Sequence, residues 1–361
     1  MTVANHDVVD SLRPDRKNSD DTRFNESPSE SATPMTRIEA PAQAIALPTP
    51  TRRGLDVAAL NETTKPRITR LVTITSALGF GVAALTFRPD ALQLVTGLVA
   101  AIFGAGLAAA GANALNQVME IDRDARMPRT MSRPLPSGRV TPLAVTIMGI
   151  ELCVLGVVLA WVLAGMAPAI LIAATVLSYL FLYTPSKPGF WSSTWIGAVP
   201  GALPPVIGWA CVDGSWSSLA HVGPWALFTI MFVWQIPHFL AIAWMYKDDY
   251  AAGGYRVLPV VDKTGRWTWA MMVLWAALLL PVTVMPVLVM DVTPGFIAVP
   301  VALIAGAMFL RLTLKVTRTR TRADARKVLI GSVIYLPILM AAWVADAALG
   351  LVLGVQGTPL G

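Results

Sequence analysis

Nine apolar runs of membrane-spanning length leave this chain little choice of fold. They fall at roughly 70–87, 92–115, 141–163, 167–184, 194–211, 224–245, 267–290, 294–312 and 328–353, and about 20 apolar residues are what an α-helix needs to cross a bilayer. In hydrocarbon every backbone N–H and C=O must find its partner internally, so the runs are expected as helices. The expected fold is an all-α polytopic membrane protein, a bundle of about nine transmembrane helices. Composition agrees, with 55% hydrophobic and 14% charged residues and a mean hydropathy of +0.60. The fifth run holds Pro200, Pro204 and Pro205 and should be kinked.

Residues 1–64 are different in kind, rich in Ser, Thr, Pro, Asn and Asp, with no apolar stretch long enough for a signal peptide. They read as a disordered cytoplasmic tail ahead of a membrane domain at 65–361. Of the 28 Lys and Arg, Arg88 alone lies on one side of the membrane; the others lie in the tail or in the loops after even-numbered runs. The positive-inside rule then places the amino terminus in the cytoplasm and the carboxyl terminus outside. That distribution also accounts for the net charge of +6, so nucleic acid is not an expected partner. Cys153 and Cys211 form neither a disulfide framework nor a metal spacing, and read as small apolar fillers.

The densest polar motif, Asn116-Gln-Val-Met-Glu120-Ile-Asp-Arg-Asp124, lies where the second run leaves the membrane. On a helix Asn116, Glu120 and Asp124 share one face over roughly 12 Å. The bland alternative is a set of solvated ion pairs among Asp122, Arg123, Asp124 and Arg126. Against it, the topology puts these acids at a helix C-terminus, whose dipole disfavours each carboxylate by about 0.3–1 kcal/mol. A bound cation resolves that conflict. One amide and two carboxylates are hard oxygen donors suited to Mg²⁺ held against a polyphosphate, and Arg126, Arg129, Arg133 and Arg139 follow to take phosphate charge.

The sixth run ends on the same side in Lys247-Asp248-Asp249, either a second carboxylate wall facing the first or an exposed helix end. The loops that follow the two motifs echo each other faintly, Arg133-Pro-Leu-Pro136 with Arg256-Val-Leu-Pro259, as an old duplication would. His238 sits about 16 Å deeper than Asp249 if the helix is regular. It is a ligand or proton carrier by one reading and a packing histidine by the other. Glu151 and Asp346 are expected as buried acids satisfied by interior neighbours.

The spacing Asn116-x-x-x-Glu120-x-x-x-Asp124 resembles the first motif of the UbiA-type intramembrane prenyltransferases, with Glu in place of the usual middle Asp. Within that family, several segments resemble the protohaem IX farnesyltransferases: Met127 to Arg139, Tyr183-Thr184-Pro185, Ile196 to Pro205 with Gly208-Trp209, Trp234-Gln235-Ile-Pro237-His238, and Asp249-Tyr250 with Leu258 to Val261. The resemblance implies transfer of farnesyl from farnesyl diphosphate to a vinyl group of haem B, in membrane lipid. It implies Mg²⁺ on Asn116, Glu120, Asp124, Asp248 and Asp249, with all but Asp248 carrying catalysis. Arg129, Arg133, Lys187 and Tyr183 would bind the diphosphate substrate, and His238 would face haem as ligand or orienting group. The implied setting is a bacterial inner membrane with the active site facing the cytoplasm, and a haem A synthase or terminal oxidase as the candidate partner. Ala252 stands where other members of the superfamily repeat an Asp, thinning the second wall as in the haem-directed branch. Pro188, Gly189 and Ser193 depart from the family's usual residues, which leaves Lys187 as the basic contact expected of that loop. A related enzyme acting on a quinone or chlorin would share the metal site. A proton- or metabolite-coupled transporter would place its critical charges near the membrane midplane instead.

Overall fold

The computed structural model describes residues 56–289 and 295–354, and among these there are helices and turns but no β-strand. Among the described residues eight helices are long and apolar enough to cross a membrane, with hydropathies between 1.6 and 2.4. They are α2 (Pro66–Phe87), α3 (Ala91–Met119), α5 (Pro142–Ala164), α6 (Met166–Ser186), α9 (Val222–Met245), α12 (Arg266–Val289), α13 (Ala298–Thr319) and α14 (Arg322–Leu353). Short helices intervene: α1 (Val57–Thr63), α4 (Ile121–Asp124), α7 (Ser193–Ala202), α8 (Pro204–Ala210), α10 (Lys247–Ala252) and α11 (Leu258–Val261).

The fifth expected span is the pair α7–α8, broken at Leu203 rather than merely kinked. Pro204 and Pro205 supply no N–H, so the α7 ladder cannot run through them. Such a break survives in a bilayer only where protein covers it, and every residue of α8 is buried. It packs against α2 at backbone distance: a Cβ on Gly208 would overlap the Ser76 carbonyl, and one on Gly79 would overlap the Pro205 carbonyl. Gly208→Leu should therefore prevent folding, read as loss of a monodisperse peak in detergent gel filtration. Gly81→Leu, on the same helix α2 with open space around its Cβ position, should run like wild type. A monodisperse Gly208→Leu would contradict this packing.

Two expectations change. The tail was expected to run to residue 64, but α1 is a formed helix with Ala59 and Thr63 buried. Asp56 caps it by accepting from the Ala59 N–H at 2.9 Å, and the Thr63 carbonyl accepts from Gln117 Nε2 at 2.6 Å. Residues 1–55 of the expected tail lie outside the described residues. Glu151, expected to be buried, is exposed on α5. Asp346 is buried as expected, and its carboxylate accepts from the Gly295 and Ile297 N–H groups at 2.6 Å each, closing the start of α13. Cys153 and Cys211 are buried and free, and Cys153 lies 3.6 Å from the Ala108 carbonyl where α5 crosses α3.

Candidate active site

The first acidic motif keeps its face although the helix does not run straight through it. At Glu120 the backbone leaves α geometry (φ −109°, ψ 9°) and α4 restarts at Ile121. The Glu120 N–H still reaches the Asn116 carbonyl at 3.1 Å, and the Asp124 N–H reaches Glu120's at 2.8 Å. The three side chains therefore stay aligned, buried at 0%, 6% and 1% exposure.

Each meets a different cation. Lys65 Nζ donates to Asn116 Oδ1 at 2.6 Å, Lys187 Nζ to Glu120 Oε1 at 2.8 Å, and Arg133 Nη1 to Asp124 Oδ2 at 2.7 Å. These groups line the mouth of a cavity of about 380 Å³. That lies within the range of roughly 300–1,000 Å³ typical of a small-molecule pocket. Arg129 lines the same mouth, its guanidinium 5.0 Å from the Tyr246 ring centroid and 5.7 Å from that of Tyr250. Deeper in, the lining turns apolar. Ala105, Ala108, Ala109 and Ala112, spaced as one helix face of α3, open a slot toward Ile172, Val176 and Ile207.

Electrostatics at the mouth follow from burial and these pairings. Burial raises the Glu120 carboxyl, but Lys187 and Lys65 outweigh it and hold the group below the usual carboxylate range. Burial lowers Lys187, and the Tyr183 oxygen and Glu120 outweigh it, so its ammonium stays charged. Lys65 goes the other way: burial, helped by repulsion from Arg133, brings it down to about 7 despite the attraction of Glu120. Two carboxylates thus face Lys65, Arg129, Arg133 and Lys187, an excess of positive charge that a multiply charged anion would balance.

The loops are tied around this mouth. The Arg256 N–H donates to the Lys187 carbonyl at 3.0 Å, and Arg123 Nη1 donates to the Gly253 and Gly254 carbonyls at 3.1 and 3.2 Å. Tyr183 lines the cavity, with Lys187 Nζ 4.5 Å from its ring centroid. Gln235 holds α9 to α7 by donating from Nε2 to the Ala198 carbonyl at 2.8 Å.

Other expected site residues fall elsewhere. Arg126 is exposed, and Arg139 is spent on an exposed pair with Glu62 at 2.7 Å; neither lines the cavity. Asp248 is exposed and Asp249 half-buried, and neither lines it either. Among the described residues no group of three or more His, Cys, Asp or Glu is placed to hold a metal. The reason is register. The α9 helix breaks at Tyr246 (φ −118°, ψ 28°), and α10 presents Tyr250 to the cavity. Asp248 then points about 200° around the helix from Tyr250, and Asp249 about 100°.

His238 also turns away from the cavity lined by Gln235, Phe239, Ile242 and Ala243. It stacks on Trp234 at 4.9 Å and meets Ser332 Oγ on α14 through Nδ1 at 2.7 Å. The Ser332 hydroxyl donates to the Leu329 carbonyl at 2.6 Å, so His238 Nδ1 is the donor in that contact. The packing reading of His238 is the one the geometry supports.

Sequence reasoning passed over Lys65, Tyr179, Tyr250 and Tyr255. A signal for one of them was present, because Tyr179-x-x-x-Tyr183-x-x-x-Lys187 is a repeating single-face spacing.

A model of the UbiA prenyltransferase family matches residues 72–343. The chain belongs to the UbiA prenyltransferase family. It is a multi-pass membrane prenyltransferase. The protoheme IX farnesyltransferase of Solibacter usitatus is 42% identical over 291 residues, covering 79% of this chain and 97% of its own. That of Opitutus terrae is 38% identical over 286 residues, covering 79% and 93%. Among solved structures, a digeranylgeranylglyceryl phosphate synthase superimposes with a TM-score of 0.63 at 17% identity, covering 81% of this chain and 98% of its own. A UbiA homologue from Archaeoglobus fulgidus, bound to DMAPP and Mg²⁺, superimposes with a TM-score of 0.57 at 12% identity, covering 80% and 99%. At these identities the solved structures establish the shared fold alone.

Proposed function

We propose that this UbiA prenyltransferase moves a farnesyl group from farnesyl diphosphate to a vinyl group of haem B, making haem O. The observation that carries the reading is the mouth itself, where Asn116, Glu120 and Asp124 alternate with Lys65, Lys187 and Arg133 above an apolar slot. The names of the curated relatives support the acceptor, and the Archaeoglobus structure supports Mg²⁺ with a prenyl diphosphate on this fold.

The donor set fits Mg²⁺, being two buried carboxylates and an amide oxygen on one aligned face. Glu120, Asp124 and Asn116 Oδ1 would hold the ion; Asp248 and Asp249 are left out of that set on their placement. When bound, Mg²⁺ supplies Lewis-acid charge that stabilises the departing diphosphate.

The chain's own groups do the rest. Lys65, Lys187 and Arg133 turn from their amide and carboxylate partners to the diphosphate oxygens, where Arg129 joins them, and the added negative charge restores a full charge to Lys65. As the C–O bond of the donor breaks, these fixed cations stabilise the charge gathering on the leaving group. The alanine slot on α3 holds the farnesyl chain dry, so the allylic cation meets the vinyl carbon before water. Attack forms the C–C bond, and water then adds to the resulting benzylic-type cation and loses a proton, leaving a hydroxyl. Gly197, Pro200 and Gly201 on α7, with Phe239 on α9, form the wall on which the porphyrin would lie.

The competing acceptor class is tested directly by offering purified protein, Mg²⁺ and farnesyl diphosphate to haem B and to 4-hydroxybenzoate. The expected product is haem carrying one farnesyl group and one hydroxyl group. A prenylated phenol with unchanged haem overturns the reading.

The same reading puts the mouth on the cytoplasmic face of a bacterial inner membrane. A reporter joined after Gly361 should behave as external, and one inserted at Arg320, between α13 and α14, as cytoplasmic. The reverse pattern contradicts the orientation.

A further inference from the structure

We propose that Thr184 is a positioning residue that fixes which end of the Asn116 amide faces the metal and diphosphate. The inference rests on the reading of Asn116 as an oxygen ligand. An asparagine amide is nearly symmetric in shape, but one end is an acceptor and the other a donor. A ligand role therefore requires something to choose between them. Lys65 can only donate, so the end it meets at 2.6 Å is the oxygen. The opposite end, Nδ2, donates to Thr184 Oγ1 at 3.0 Å across 68 residues of chain.

Thr184 acts as an acceptor there because its own proton is committed. Its hydroxyl donates to the Tyr179 carbonyl at 2.9 Å. That carbonyl is offered by a π turn, Ser178–Tyr183, in which the Thr184 N–H also closes onto Tyr179. With its hydrogen spent, Oγ1 has only lone pairs to present, and a flipped Asn116 would set oxygen against oxygen. Both side chains are buried, Asn116 at 0% and Thr184 at 5% exposure, so water is poorly placed to replace the contact. Once the substrates draw Lys65 away, Thr184 is the contact left to keep the amide oxygen toward the ion. The π turn gains a purpose on this account, since it brings a hydroxyl with a committed proton to this position.

The test uses the full chain purified in detergent, with Mn²⁺ as the spectroscopic stand-in for Mg²⁺ and farnesyl thiodiphosphate as an unreactive donor. Mn²⁺ affinity is read by electron paramagnetic resonance, independently of turnover. Thr184→Val and Thr184→Ala remove the acceptor, and Thr184→Ser keeps it. Loss of one buried hydrogen bond should weaken Mn²⁺ binding about tenfold in both of the first two. The metal concentration for half-maximal turnover should rise by the same factor, with the KM for farnesyl diphosphate at saturating metal little changed. Thr184→Ser should bind Mn²⁺ within about twofold of wild type. Wild-type Mn²⁺ affinity in the folded Val or Ala variant overturns the proposal, including the case where either merely unfolds at lower temperature. Equal damage in Ser and Val overturns it as well. Asn116→Leu separates the levels: if that variant also binds Mn²⁺ normally, the ligand role of Asn116 fails, whereas a defect in Asn116→Leu alone sinks only the role of Thr184.

Discussion

Glu120→Gln and Asp124→Asn are each expected to lower turnover by about a thousandfold or more, a change of at least about 4 kcal/mol in transition-state stabilisation. Both replacements keep the size of a side chain that is nearly fully buried. Both remove the negative charge that Lys187 and Arg133 now meet at 2.8 and 2.7 Å. Single-turnover farnesyl transfer, with helical content and monodispersity as controls, measures the effect. Loss of only a few-fold in well-folded protein contradicts the metal grip. Asp248→Asn is the internal control, because Asp248 is exposed and off the cavity; it should stay within about twofold of wild type.

Lys187→Met should damage the fold as well as the chemistry. It strands Glu120 as a buried carboxylate, and breaking a buried pair in this way costs about 3–5 kcal/mol. Exposures of 13% and 7% for the two side chains place the pair in that class rather than among surface bridges. Thermal unfolding in detergent should show a large drop for Lys187→Met. Recovery is expected in the double variant Glu120→Gln with Lys187→Met, which buries no unpaired charge yet remains inactive. A double variant no more stable than Lys187→Met would mean that Lys187 acts through something other than this carboxylate. Because Glu120 is held below its ordinary value of 4.5, the pair's contribution is complete above that pH and is lost as pH falls through the lower folded value.

The membrane class and the run from Asn116 to Asp124 could be read from the chain because both rest on local patterns, apolar length and four-residue spacing. Lys187 could be placed beside that motif from its family segment. What escaped the sequence depends on single backbone deviations. Lys65 reaches the mouth because it takes a left-handed conformation (φ 50°) between α1 and Pro66, a turn that no periodicity records. The second acidic pair lost its place for the same kind of reason, since one non-helical residue at Tyr246 rotates Asp248 and Asp249 off the cavity and brings in Tyr250. His238 was legible as an ionisable group deep in a span, but which neighbour satisfies it is set by α14, 94 residues further along the chain. The break at Leu203 was foreshadowed by its prolines; the glycine contacts that bury it against α2 were not.

The most direct measurement is made on haem itself. The chain is expressed in membranes that contain haem B but lack haem O, and the extracted haems are separated by chromatography and weighed by mass spectrometry. A new, more hydrophobic haem is expected, heavier than haem B by one farnesyl and one hydroxyl group, and absent when Asp124→Asn is expressed to the same level. Haem B alone, in membranes that hold folded wild-type protein and farnesyl diphosphate, would contradict the account.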